Sequence, residues 1–222
     1  MTALLETPPI PRRTNGHLPP PPPPTGGGDG LDRDPASRPL GFDNLRLAIL
    51  FFMGAETMFF AALISALFVL RLGTAVWPPP LQPRLPVGVT GVNTLVLLAS
   101  SWAMLAAGRG LRNDDRRALL RGLAAAAALG TVFLAVQGYE WARLVGFGLT
   151  VTSGTYGTTF YTLIGTHALH VVGALIWLAV TLARAARGRF GGGRTSPVRA
   201  CAMYWHFVVG LWPVLYVAVY LL

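Results

Sequence analysis

From residue 42 onward, apolar residues do not alternate with polar ones but run together, and the charged residues cut them into intervals of membrane-spanning length. Five intervals result, at about 47–70, 85–108, 122–142, 156–183 and 200–222. Each reaches or exceeds the ~20 residues that cross a hydrocarbon core of ~30 Å at 1.5 Å per residue. The stretch between Arg143 and Arg184 is too long for one span, and its Gly/Thr/Ser-rich segment Gly146–Thr155 reads as a loop leading into the fourth. An isolated apolar span can satisfy its backbone in lipid only as a helix, so the pattern predicts an all-α, five-helix transmembrane bundle over 42–222.

Residues 1–41 are of a different kind. Pro8, Pro9, Pro11, the run Pro19–Pro24 and Gly26–Gly28 leave almost no long apolar side chain, too little to offset the entropy of ordering. A disordered Pro/Gly-rich tail is expected, with a short polyproline II rod in it. A docking peptide for a Pro-reading partner is the alternative. No apolar core follows Arg12 and Arg13, so no secretory signal is expected.

Composition fits this division: 53% of the 222 residues are hydrophobic and 12% charged. The net charge of +9 comes from 18 cationic residues, all arginine, against 9 acidic ones. They do not form a nucleic-acid groove; they lie between the spans. Fifteen (residues 12, 13, 33, 38, 46, 109, 112, 116, 117, 121, 184, 187, 189, 194 and 199) fall on one side of a five-span arrangement, and Arg71, Arg84 and Arg143 on the other. The positive-inside rule then predicts a cytoplasmic N-terminus and an external C-terminus. The lone Cys201 excludes a disulfide framework and a cysteine-clamped metal site.

The informative residues are polar ones inside the spans. Glu56 lies near the middle of the first, where an uncompensated carboxylate costs on the order of 3 kcal/mol or more. It must be protonated, hydrogen-bonded or water-connected. His167 and His170, three apart, share a face of the fourth span, and His206 lies in the fifth. These histidines with Glu56 and Glu140 could be written as a metal or haem site, but the Glu-x-x-His pairs of carboxylate-bridged bundles are missing. Interhelical hydrogen bonding by neutral histidines is the better reading, with no metal in this chain. Gln137, Glu140 and Trp141 fall at i, i+3 and i+4 near the outer end of the third span, with Tyr139 beside them, as a polar stripe with an aromatic anchor. Asn93 and Ser100 put a polar line on the second span. The pairs Ala61/Ser65, Ala62/Ala66 and Ala103/Ala107 favour close helix contact.

Taken in order, Glu56, Asn93-Thr94-Leu95, Ser100-Ser101, Gln137-Gly-Tyr-Glu140-Trp141, Tyr156-Gly-Thr-Thr-Phe-Tyr161, Gly165-Thr-His167-Ala-Leu-His170-Val-Val-Gly173 and Tyr204-Trp205-His206-Phe207-Val208 resemble subunit III of the haem-copper oxygen reductases, the cytochrome c oxidase subunit III family. The resemblance covers about residues 42–222 and agrees with the short, five-helix bacterial form. It implies an integral subunit of a proton-pumping oxidase, not catalytic alone and without haem or copper, which sit in partner subunits. Partners would be subunit I, subunit II within the complex, and phospholipid held in a cleft, with a supercomplex partner open. Glu56 aligns with the family's intramembrane glutamate and His167, His170 and His206 with its helix-packing histidines; these four and Glu140 are the candidates for proton handling or the lipid cleft, and Asn93, Ser100, Gln137, Trp141, Gly165, Gly173 and Trp205 are packing positions. The implied role is support of proton uptake and of the catalytic subunit's stability in a bacterial inner membrane. Two departures stand out: Val209 occupies a position that is usually acidic, and Pro213 interrupts the last helix. The alternatives are an accessory subunit of a nitric oxide reductase, and a small proton-coupled transporter, which five spans fit poorly because they do not divide into equal halves.

Overall fold

The computed structural model describes residues 44–77, 79, 83, 85–188 and 195–222. The tail expected to be disordered lies outside them, as do Arg84, Arg189 and Arg194. Among the described residues there are five α-helices, α1 Asn44–Leu72, α2 Val87–Arg112, α3 Arg116–Gly146, α4 Gly154–Ala186 and α5 Ser196–Tyr216, the last followed by a π-helical turn, Val217–Leu221. All five are long and apolar enough to cross a membrane.

Most helix ends run past the spans marked by charge, although α2 begins two residues inside its own, because charges bound the hydrocarbon while local hydrogen bonds bound the helix. At the start of α3 the carboxylate of Asp115 accepts from Ala118 N–H at 3.0 Å, so the helix begins six residues before Gly122. Asp114 just before it takes the left-handed conformation, φ 54°, which closes the short α2–α3 connection. The loop expected over 146–155 is narrower, 147–153. There Ser153 Oγ accepts from Thr150 N–H at 2.8 Å and donates to the Gly148 carbonyl at 2.9 Å, while Tyr161 O–H donates to the Leu149 carbonyl at 2.8 Å.

Helices α2 and α3 form the closest pair. A Cβ at Gly122 would lie 2.5 Å from Ala107 N, and one at Gly110 2.5 Å from Leu119 N, so the two backbones touch. Helix α5 packs against α1, α2 and α4, and α3 packs against α2 and α4. Trp205, Trp212, Phe60, Phe133 and Phe160 fill the interior. By contrast α1 buries only Ile49, Phe60 and Leu67 and meets the bundle through α4 and α5. Pro213 sits inside α5 without ending it, although it removes the donor that Val209's carbonyl would receive. Val209 itself is buried in an apolar setting.

The arginine-bearing ends of α2 and α5 line one cleft. Arg116 at the start of α3 donates to the Ala186 carbonyl at the end of α4, at 2.5 Å. The end of α1 and the starts of α2 and α4 line another cleft together with the C-terminal residues. Among the described residues Arg109, Arg112, Arg116 and Arg199 thus lie at one end of the bundle and Arg71 at the other.

Candidate functional site: an acid–histidine pair between α1 and α4

Glu56 projects from α1 toward α4, where its Oε2 lies 2.9 Å from His170 Nε2; the two side chains are 17% and 20% exposed. Oε2 itself is shut off from solvent and has no other hydrogen-bond partner. On the far side of the imidazole, Nδ1 lies 2.7 Å from the Thr166 carbonyl oxygen, one turn back along α4. A carbonyl only accepts, so Nδ1 carries its hydrogen. The Nε2 of a neutral ring is then an acceptor, and a carboxylate facing it would set acceptor against acceptor. One more proton therefore belongs to the pair, held by Oε2 as a carboxylic acid or by Nε2 as an imidazolium. Either placement leaves the pair with no net charge, which is how a carboxylate is tolerated at this depth. Phe60 packs edge-on against His170, with ring centres 5.2 Å apart.

The other predicted residues lie elsewhere. His167, 1% exposed, stacks on Trp212 at 5.1 Å and 28°, and neither ring nitrogen finds a hydrogen-bond partner. His206 Nδ1 pairs with Ser101 Oγ across the α2–α5 contact. Glu140 is buried and meets Arg143 on its own helix at 3.3 Å, while Arg143 remains half-exposed. Gln137 donates to Tyr220 O–H at 3.3 Å. Trp141 meets Tyr161 edge-on at 5.9 Å. Thus Glu56 and His170 are brought together; Glu140 and His206 have partners of their own. Among the described residues no three His, Cys, Asp or Glu side chains converge as metal ligands would.

Of the packing positions, Asn93 donates to the Phe133 carbonyl at 2.9 Å, and Ser100 accepts from Trp205 Nε1 at 3.2 Å. Gly165 has only Trp141 at 4.0 Å, and a Cβ at Gly173 would meet nothing within 4 Å. The close approaches fall at glycines not singled out beforehand. Gly122 and Gly110 face the α2–α3 seam, a Cβ at Gly130 would lie 2.5 Å from the Trp205 ring, and one at Gly157 would collide with the Thr150 carbonyl. A polar ladder joins α2 to α5, of which Ser100, Trp205 and His206 were expected as packing residues and the Tyr216 and Trp212 rungs were not: Tyr216 O–H donates to the Val87 carbonyl at 3.0 Å, Trp212 Nε1 to Thr94 Oγ1 at 2.8 Å, and the Trp205–Ser100 and His206–Ser101 contacts follow. Its signal is present in the sequence, since Val87, Thr94 and Ser101 recur every seven residues, as do Trp205 and Trp212.

These features define a multi-pass membrane protein whose buried carboxylates, amides and histidines mostly engage its own helices. Its sequence matches the profile of the family "Cytochrome c oxidase subunit III" over residues 39–222, and the chain belongs to that family. It is 35% identical over 184 residues to cytochrome c oxidase subunit 3 of Synechocystis sp., covering 82% of this chain and 78% of that one. It is 31% identical over 180 residues to the protein of that name from Bacillus subtilis, covering 81% and 86%, and 33% identical over 182 residues to that of Sus scrofa, covering 79% and 69%. The chain is accordingly a non-catalytic oxidase subunit that works in a complex with other subunits.

Proposed function

We propose that the chain serves a proton-pumping oxidase of a bacterial inner membrane, packed against subunit I with its N-terminus in the cytoplasm, and that it supports proton uptake and the lifetime of the catalytic subunit through Glu56 and His170. The single-proton pair described above carries this reading. It is a titratable unit at mid-membrane depth, on the helix that the bundle covers least, beside a surface of exposed apolar side chains such as Met58 and Phe59 where lipid is the natural neighbour.

Glu56→Gln isolates the proton. Its amide donates to His170 Nε2 and preserves the contact, but it cannot hold or release a proton. The complex is expected to assemble in normal amount and to start at a near-normal rate, then to lose activity after several-fold fewer turnovers. Glu56→Ala also removes packing and leaves Nε2 unpaired, so less complex should be recovered. The measurement is oxygen consumption followed to inactivation, normalised to assembled complex. Wild-type lifetime in Glu56→Gln would reduce the pair to a helix–helix hydrogen bond.

A further inference from the structure

Trp102 stands on the surface of α2 that the bundle leaves open, and it is 70% exposed. Counting along α2 puts it seven residues from Arg109 and fifteen from Val87, about 10 Å and about 22 Å at 1.5 Å per residue. Helical side chains lean toward the N-terminus, which for α2 is the arginine-poor end. The indole therefore points away from Arg109 and deeper into the hydrocarbon. Tryptophans of membrane proteins gather instead at the two interfaces, where the ring N–H finds water or headgroups. Among the described residues Trp102 Nε1 has no hydrogen-bond partner, whereas the buried Trp205 and Trp212 donate to Ser100 and Thr94.

The surroundings of Trp102 have the form of a helix-packing surface. Val92, Leu95, Ala99, Trp102 and Ala106 are all exposed and recur at alternating steps of three and four residues, the spacing of a seam that meets another helix along ~21 Å. Ala99 and Ala106, one turn to either side, leave the indole as a knob between two flat places. Toward the arginine-poor end the same face continues into a groove of about 350 Å³ between α2 and α3, with Val92, Val96, Val132 and Val136 among its walls. Such β-branched side chains have few rotamers to lose on contact.

An occupant must cover an apolar surface and supply one hydrogen-bond acceptor at mid-membrane depth. Acyl chains carry no acceptor there. A second copy of this chain, meeting the first across a two-fold axis along the membrane normal, would set indole against indole, donor against donor, with only alanines one turn away. A transmembrane helix with a side-chain oxygen meets both demands, since polar side chains bond across helices in lipid and small residues admit a neighbour's bulk. We propose that this face of α2 docks a transmembrane helix of another subunit of the oxidase, which receives Trp102 in a notch of small residues and accepts its N–H on a hydroxyl or amide oxygen. The inference rests on the chain's place in an oxidase complex and is independent of any role of Glu56.

The test puts photoreactive p-benzoylphenylalanine in place of Trp102 in the tagged chain, irradiates native membranes and maps the cross-linked peptides of the purified complex. The cross-link should fall on a membrane-spanning segment of another oxidase subunit, within one helical turn of a Ser, Thr, Asn or Gln. In parallel, Trp102→Phe keeps an aromatic knob and removes the N–H, and Trp102→Ala removes both. In detergent the Trp102→Phe chain should leave the complex at least about threefold faster than wild type, as the loss of one interhelical hydrogen bond implies, and the Trp102→Ala chain faster still. Melting of the isolated chain should be the same in all three, because the side chain touches little within it. Cross-links to lipid alone or to a second copy, a wild-type dissociation rate in Trp102→Phe, or lowered melting of the isolated variants would each overturn the proposal. A cross-link elsewhere within a recovered, haem-bearing oxidase counts against this docking face alone; recovery of the wild-type chain without any haem-bearing partner would overturn the oxidase reading as well.

Discussion

A glycine inside a transmembrane helix has meaning only through what stands opposite it, and the glycines here divide cleanly on that ground. Gly122 lies against the backbone of Ala107, so Gly122→Ala must push α2 and α3 apart. Overpacking of this sort costs ~1–3 kcal/mol, and the purified variant should melt at a clearly lower temperature in detergent. Gly173 has open space where its Cβ would be. Gly173→Ala should leave the melting of the isolated chain within ~0.5 kcal/mol, since nothing is crowded and alanine favours the helix. If Gly173 packs closely against another subunit, a larger residue there will lower recovery of the complex while the chain's own melting stays put. Measuring both quantities on Gly173→Leu separates an internal packing position from an interface one. The residue types were readable in the sequence; the surface opposite each glycine was not, because it is supplied by helices tens of residues away.

At the scale of elements, the contact between α2 and α5 resembles a zipper with polar teeth, in which tryptophan and tyrosine on α5 reach backbone and hydroxyl acceptors on α2. Trp212→Phe keeps an aromatic ring against His167 and Phe133 but removes the donor to Thr94. Thr94 Oγ1 retains its own bond to the Thr90 carbonyl, so the loss is one interhelical hydrogen bond. The expected destabilisation is ~0.6–2 kcal/mol, read from thermal unfolding in detergent. The number, order and approximate limits of the five helices were legible, because length and apolarity alone decide what spans a bilayer. Their ends were less so: α3 starts at Arg116 because Asp115 caps it, a local hydrogen bond that counting charges does not register. The Glu56–His170 pairing was half legible. Both residues stood out as polar groups in apolar spans, yet nothing in their separation of 114 positions says that α1 and α4 are neighbours. His167 illustrates the opposite case, a conspicuous residue whose ring meets Phe60 and Trp212 and whose nitrogens have no hydrogen-bond partner.

For the molecule as a whole, the fifteen-to-three arginine asymmetry fixes an expected orientation. Reporter fusions after Leu222 should be external, and those between Ala186 and Ser196 cytoplasmic; inverted labelling would mean either that the five spans run the other way or that the number of crossings between the tail and the C-terminus is even. The sparse attachment of α1 bears also on how the chain is made. Helices α2 and α3 can pair as soon as both are synthesised, but α1 has its contacts with α4 and α5, which come last. At ~5–20 residues per second, the 114 residues that separate Glu56 from His170 take roughly 6–23 s. For that interval the first helix stands in the bilayer without the partner that its glutamate has in the finished bundle. The arrival of His170 closes that contact, and the same event fastens an early segment of the protein to a late one.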